Sequence, residues 1–114
     1  MTLQSITRWL AVAAMLLGAV HLALASLAYR EWSLDALWFV GAGLAIIAAA
    51  AINLAGIHHR SFVIAALVNS ALALWFAAAW LVLPGPQVIV GGLVFAGLAC
   101  CNSLAMRRGS RAKS

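Results

Sequence analysis

Residues 61–106 read SFVIAALVNSALALWFAAAWLVLPGPQVIVGGLVFAGLACCNSLAM and contain no charged side chain. This run of 46 residues is about twice the roughly 20 apolar residues that a helix needs to cross a bilayer. Pro84-Gly85-Pro86 interrupts it and predicts a tight turn, because proline cannot continue a helix. The run therefore predicts two membrane-spanning helices, at about 61–83 and 87–106.

Two further uncharged stretches precede this run, at about 9–29 and 36–57. Hydrophobic residues make up 67% of the chain and charged residues 8%, whereas soluble domains average about half apolar and a quarter charged residues. The sequence therefore predicts an all-α integral membrane protein. We expect a single domain, 1–114, with four transmembrane helices in an up-down bundle and a basic tail at 107–114.

The cations predict the orientation of this bundle. Arg8, Arg60 and four cations of the tail fall on one side, and Arg30 falls on the other with the two acids of the chain, Glu31 and Asp35. Because cytoplasmic loops are enriched in lysine and arginine, we expect both termini in the cytoplasm and the chain in a cell inner membrane. Asp35 is the expected N-cap of the second helix.

The first helix has a second interpretation. Ala23-Leu24-Ala25 has the pattern of a signal-peptide cleavage site, and Arg8 would supply the basic region before it. His21 interrupts the apolar run close to that site, and the run is longer than the apolar region of most signal peptides. Both interpretations remain open on the sequence, and we favour retention of the helix.

A weak internal repeat links the two halves of the chain. Gly43-Leu44 precedes Asn53 by the same spacing at which Gly92-Leu93 precedes Asn102. A two-helix repeat of this kind would be parallel, related by an axis along the membrane normal. Chance matching in a sequence rich in glycine, alanine and leucine is the alternative.

Small residues predict the faces on which the helices pack, because helices in lipid associate through close van der Waals contact. The first helix carries such a seam at Ala11, Ala14, Gly18, His21, Ala25 and Ala28. The corresponding stripes of the other helices are Gly41, Ala45, Ala49, Asn53 and Gly56; then Ala66, Asn69, Ala73 and Ala77; then Gly92, Ala96, Ala99 and Ser103, with Asn102 beside it.

The candidate functional site consists of side chains that are polar or aromatic at membrane depth: His21, Asn53, Asn69, Trp75 and Asn102. An ionisable group inside a membrane is a functional candidate by default. His21 could bind a proton, a substrate, a haem or a metal, or it could be a neutral histidine bonded to a carbonyl, to Asn69 or to Ser70. We expect no catalytic residue, because the sequence shows no nucleophile–base pair and no carboxylate pair. We expect no cofactor or metal, because His58 and His59 lie at the cytoplasmic end and only a dimer could supply a second imidazole at the depth of His21.

The fourth helix, with Gly92, Ala96-Gly97-Leu98 and Asn102 before a basic end, resembles that of the small multidrug resistance exporters. The resemblance implies a small dimeric transporter, here with a polar cavity around His21 and Asn69. The first helix departs from the family because it has no carboxylate, the group at which those exporters bind drug cations and protons.

Three functions follow as hypotheses. We favour a non-enzymatic structural or accessory membrane protein that acts through helix–helix contacts; the alternatives are the dimeric transporter and a membrane redox, quinone-binding or haem-binding protein. The expected partners are the lipid bilayer, anionic lipid headgroups at the basic tail, and a second copy or another membrane protein. Four of the seven cations crowd into the tail at 107–114 and the other three stand singly between apolar runs, a pattern that argues against nucleic-acid binding.

Overall fold

The computed structural model describes residues 1–59 and 62–112, apart from the side chain of His59. Arg60, Ser61 and Lys113, which enter the predictions above, lie outside this described part. The fold consists of α-helices with short connections: α1 (Leu3–Ala28), α2 (Leu34–His59), α3 (Phe62–Val82) and α4 (Pro86–Arg111). Each helix is long and apolar enough to cross a membrane. The predicted all-α class with four helices is therefore confirmed.

The outer ends of the first and last helices continue beyond the predicted spans. α1 begins at Leu3, where the Thr2 hydroxyl accepts a hydrogen bond from the Ser5 backbone N–H at 3.1 Å. α4 runs through the basic residues to Arg111, so the described part of the basic tail is mostly helical. α4 thus continues through Gly109 before it ends.

The connections differ in detail from the sequence-based expectation. Pro86 is the first residue of α4 and does not belong to the turn, since its missing N–H is tolerated in the first helical turn. The Ser33 hydroxyl caps α2 by accepting a hydrogen bond from the Ala36 N–H at 3.2 Å. The prediction of Asp35 as N-cap is therefore wrong; Asp35 lies inside the first turn, where its charge still favours the helix dipole.

The helices associate as two closely packed pairs, α1 with α2 and α3 with α4. Smaller contacts, α1 with α4 and α2 with α3, join the pairs. All four helices contribute to one apolar core, whose members include Ala11, Ala14, Ile46, Ala49, Ala50, Phe76, Phe95 and Leu98. Phe76 and Phe95 stack at its centre with ring centroids 5.8 Å apart.

The predicted packing faces agree with the structure on α1, apart from the exposed Ala28, and are partly wrong on the other helices. On α2, Gly41 and Ala45 are exposed while Gly43 and Ile46 are buried. On α3, Ala77 is exposed and Phe76 is buried beside it. Gly43 faces α1, where an added Cβ atom would meet Leu22 and His21, and Phe76 faces α4, where it stacks on Phe95.

α4 shows the same displacement of its buried face. Ala96 and Ser103 are exposed, whereas Gly91, Phe95 and Leu98 are buried. A Cβ atom at Gly91 would overlap the Phe76 ring, so a glycine is needed where α3 and α4 meet.

The predicted internal repeat has mixed support in the structure. Its two asparagines, Asn53 and Asn102, are both buried. However, Gly43 packs tightly on α1, and its counterpart Gly92 has no comparable contact. The parallel repeat therefore stays a prediction.

Candidate functional site

Asn53 of α2, Asn69 of α3 and Asn102 of α4 form one buried group, the amide cluster. Asn53 Nδ2 donates to Asn69 Oδ1 at 2.9 Å, and Asn69 Nδ2 donates back to Asn53 Oδ1 at 2.8 Å. Asn102 Nδ2 donates to the same Asn53 Oδ1 at 2.8 Å. The three residues are 1%, 0% and 2% exposed, respectively. The cluster thus ties three helices, and both helix pairs, together at one point.

Asn53 is the centre of the amide cluster. Besides its bonds to the two other asparagines, its Nδ2 donates to the Ala49 carbonyl at 2.8 Å. Because a carbonyl oxygen can only accept, this contact identifies the nitrogen end of the amide. Two donated and two accepted bonds use the full hydrogen-bonding capacity of an asparagine side chain.

The surroundings strengthen these hydrogen bonds. In a low-dielectric interior a hydrogen bond is stronger than in water, and an unpaired polar group is correspondingly costly. Among the described residues, every buried side-chain nitrogen or oxygen has a hydrogen-bond partner. Neutral amides do not titrate and are poor nucleophiles, so the chemistry that this cluster supplies is interhelical hydrogen bonding.

His21 lies at a different contact, between α1 and α2. Its Nε2 is 3.0 Å from the Phe39 carbonyl oxygen, and its ring stacks on the Phe39 ring with centroids 3.8 Å apart and planes 15° apart. Since the carbonyl can only accept, Nε2 carries the hydrogen. Tyr29 completes the aromatic group, 5.4 Å from Phe39. The imidazole is therefore anchored to α2 by a hydrogen bond and by ring contact.

Two glycines allow the close approach of helices next to His21. A Cβ atom at Gly18 would lie 3.0 Å from the Gly43 carbonyl oxygen and 2.7 Å from Ile47 Cγ1. A Cβ atom at Gly43 would lie 2.7 Å from Leu22 Cδ2 and 3.2 Å from His21 Cδ2. We call the region around Gly18 and Gly43, next to His21, the glycine contact. The two helix backbones are so close there that no larger side chain fits at either glycine.

The structure thus brings three of the five predicted site residues together and separates the other two. Asn53, Asn69 and Asn102 are mutually bonded. His21 belongs to the glycine contact, and its partner Phe39 is 14 residues from Asn53 along α2, or about 21 Å. Trp75 is 53% exposed on the outer face of α3, with its ring edge-on to Phe76 at 5.4 Å.

Sequence reasoning missed the roles of Phe39, Gly43 and the Ala49 carbonyl. Phe39 carried no polar signal, and a carbonyl acceptor inside a helix cannot be assigned from residue type. The spacing of Gly43 to Asn53 suggests the internal repeat, but the packing stripe predicted for the second helix contains Gly41 and not Gly43. The pairing of Gly18 with Gly43 depends on the register between two helices, which the sequence of each helix does not specify.

An apolar crevice of about 250 Å³ lies between α3 and α4. Ala73 and Ala77 of α3 and Gly92 and Ala96 of α4 lie in it, with larger side chains that include Trp80 and Ile89. Gly92 and Ala96 belong to the small-residue stripe predicted for α4, and the core residues Phe76 and Val88 also line the crevice. None of the three asparagines lines this crevice.

The chain matches no protein-family model, and neither the curated proteins nor the solved structures give a significant match. Groups of three or more histidine, cysteine or acidic side chains that could hold a metal ion are absent from residues 1–59 and 62–112. The functional argument therefore depends on the amide cluster, the glycine contact and the crevice.

Proposed function

We propose that this chain is a small multi-pass protein of the cell inner membrane that serves as a structural or accessory subunit, without enzymatic activity, through helix–helix contacts. The amide cluster carries the proposal. Three asparagines that could have lined a polar path are bonded to each other and to a helix carbonyl. Their hydrogen-bonding groups are used to hold helices together.

The proposed topology is four crossings in alternating directions with both termini in the cytoplasm. The short connections favour antiparallel neighbours, as in other up-down bundles. Arg8 near the start of α1 and Arg107, Arg108 and Arg111 at the end of α4 would then lie on the cytoplasmic side. There they would attract anionic lipid headgroups, each contributing about 1 kcal/mol near the surface.

The dimeric transporter receives less support from the geometry. That hypothesis needs His21 and Asn69 to line one cavity, and each is bonded in a separate contact. The redox or quinone-binding hypothesis has a similar difficulty at His21, because haem ligation through Nε2 would require the bond to Phe39 to be broken.

Sizing the protein in its own membranes tests the proposed function. The tagged full chain would be extracted with its surrounding lipid and its mass determined under native conditions. We expect an assembly larger than one copy, and no proton flux when the purified chain is placed in liposomes with a pH gradient. A single copy that carries a proton flux abolished by His21→Ala would overturn the proposal in favour of transport. A Soret band in the absorbance spectrum would overturn it in favour of haem binding.

A further inference from the structure

The fold uses only one of the two ring nitrogens of His21. Nε2 donates a hydrogen bond to the Phe39 carbonyl oxygen at 3.0 Å, and the adjacent ring atom Cδ2 lies against Gly43, where an added Cβ would be 3.2 Å away. This edge of the imidazole therefore faces α2, and Nδ1 belongs to the opposite edge of the ring. Because Nε2 carries the hydrogen of the neutral imidazole, Nδ1 is a hydrogen-bond acceptor.

Nδ1 of His21 has no hydrogen-bond partner in the described part of the chain. Every buried side-chain nitrogen or oxygen described there has a partner, so Nδ1 is accessible from outside the fold. An unpaired acceptor costs free energy in apolar surroundings. A phenylalanine at position 21 would keep the ring stack on Phe39 without this cost. The histidine therefore supplies an acceptor that the fold leaves open.

The imidazole lies near one end of the α1–α2 pair. His21 is about 10 Å from the end of α1 at Ala28, and Phe39 is about 8 Å from the start of α2 at Leu34. Both helices are about 39 Å long, whereas the hydrocarbon core of a bilayer is about 30 Å thick. In the proposed topology the ring is therefore inside the hydrocarbon and close to its non-cytoplasmic boundary. At this level the polar heads of amphiphiles meet their apolar tails.

We propose that Nδ1 of His21 binds the hydroxyl group of an apolar molecule dissolved in the bilayer. Two sources offer this chemistry, a quinol and a lipid alcohol such as diacylglycerol. The exposed side chain of Leu24, one turn further along α1, offers the apolar part of the molecule a contact. The bond to Phe39 stays intact, in contrast to haem ligation through Nε2. The site binds without a redox step, and it goes beyond the accessory function and does not depend on it.

The test compares a hydrogen-bond donor with an acceptor of the same shape. The full chain is placed in phosphatidylcholine vesicles in mildly alkaline buffer, in which imidazoles are neutral. The probes are a radiolabelled benzoquinol with a decyl tail, kept reduced, and its quinone, which has the same ring and tail but can only accept. We expect about fivefold tighter binding of the quinol, the equivalent of one hydrogen bond. The nitrogen NMR signal of isotope-labelled Nδ1 should shift with the quinol and not with the quinone.

A second pair of probes distinguishes the two sources of the hydroxyl. Diacylglycerol carries a free hydroxyl, and its acetylated derivative does not. A preference for the quinol over the quinone alone identifies a quinol site, and a preference for diacylglycerol over its acetate alone identifies a site for lipid alcohols. Both preferences together support recognition of the hydroxyl without selection of the apolar part.

Three variants complete the experiment. His21→Phe keeps a ring on Phe39 but removes the acceptor, so it should abolish the preference within each pair of probes. His21→Gln has an amide that can donate to the Phe39 carbonyl and still accept a hydrogen bond, so it should retain the preference. His58→Phe makes the same change at an exposed histidine near the other end of α2 and is the matched control, expected to bind like the parent chain.

Two results would overturn the proposed site. One is equal binding of all four probes by the parent chain, or an unchanged preference in His21→Phe. The other is an Nδ1 signal that is already hydrogen-bonded in vesicles without probe and that moves when the chain is diluted in lipid, because the donor would then belong to a second copy of the chain.

Discussion

The amide cluster and the glycine contact hold helices together by different physics. The cluster joins α2, α3 and α4 through directional hydrogen bonds between buried side chains. The glycine contact joins α1 and α2 by removing side chains, so that the Gly43 carbonyl approaches Gly18 directly. The amide cluster should be sensitive to the loss of a hydrogen-bonding group, and the glycine contact should be sensitive to an increase in side-chain size. Substitutions that change only one of these two properties should therefore destabilise one region and leave the other intact.

The largest effect is expected from Gly18→Leu. The new side chain would begin 3.0 Å from the Gly43 carbonyl oxygen and would force α1 away from α2. Overpacking of this kind costs typically 1–3 kcal/mol, and contact with backbone places this case at about 3 kcal/mol. Reversible unfolding in mixed micelles measures the loss. Gly41→Leu is the control, and its free energy of unfolding should be within about 0.5 kcal/mol of that of the parent chain. If both leucine variants lost similar stability, side-chain size at the glycine contact would not explain the loss.

Asn53→Ala should lower the free energy of unfolding by about 2 kcal/mol. It deletes the centre of the cluster and leaves the amides of Asn69 and Asn102 buried without this partner. The same unfolding assay applies. Ser70→Ala, which removes an exposed hydroxyl of α3, should be nearly neutral. An Asn53→Ala variant as stable as Ser70→Ala would mean that these hydrogen bonds contribute no net stability.

His21→Phe should cost about 1 kcal/mol, the net value of one hydrogen bond. The phenylalanine ring can keep the stack on Phe39 but cannot donate to its carbonyl. His21→Ala removes both the stack and the bond and should cost more, and comparing the two variants by unfolding separates these contributions. Equal losses would assign the whole stabilisation to the hydrogen bond.

The smallest effect is expected from Asn102→Ala, at about 0.6 kcal/mol, the average for hydrogen bonds between membrane helices. Asn53 Oδ1 still accepts from Asn69 when Asn102 is removed, so the centre of the cluster keeps a partner. Unfolding of Asn53→Ala, Asn102→Ala and the double variant forms a complete cycle. If Asn102→Ala cost as much as Asn53→Ala, the cluster would have no single centre.

Much of the candidate site could be predicted from polarity alone. Asn53, Asn69 and Asn102 stand out in apolar sequence, and the expectation that they bond between helices required only the high cost of unpaired amides in lipid. Their meeting at one point could not be predicted, because it depends on how far each helix slides along its neighbours. The separation of His21 from Asn69 has the same origin. Both residues have polar side chains within apolar helices, but they face different partners.

The sequence by itself determined that there are four helices and where they begin and end to within two residues, except at the outer ends of α1 and α4. Uncharged runs, a proline pair and cations between them are local features, and the requirement that backbone groups bond within each segment leaves only a helix for each run. Tertiary structure decided which of the predicted small-residue positions on α2, α3 and α4 face the core. Gly91 and Gly92 are adjacent and identical in chemistry, and only the position of the Phe76 ring places one inside and the other on the crevice.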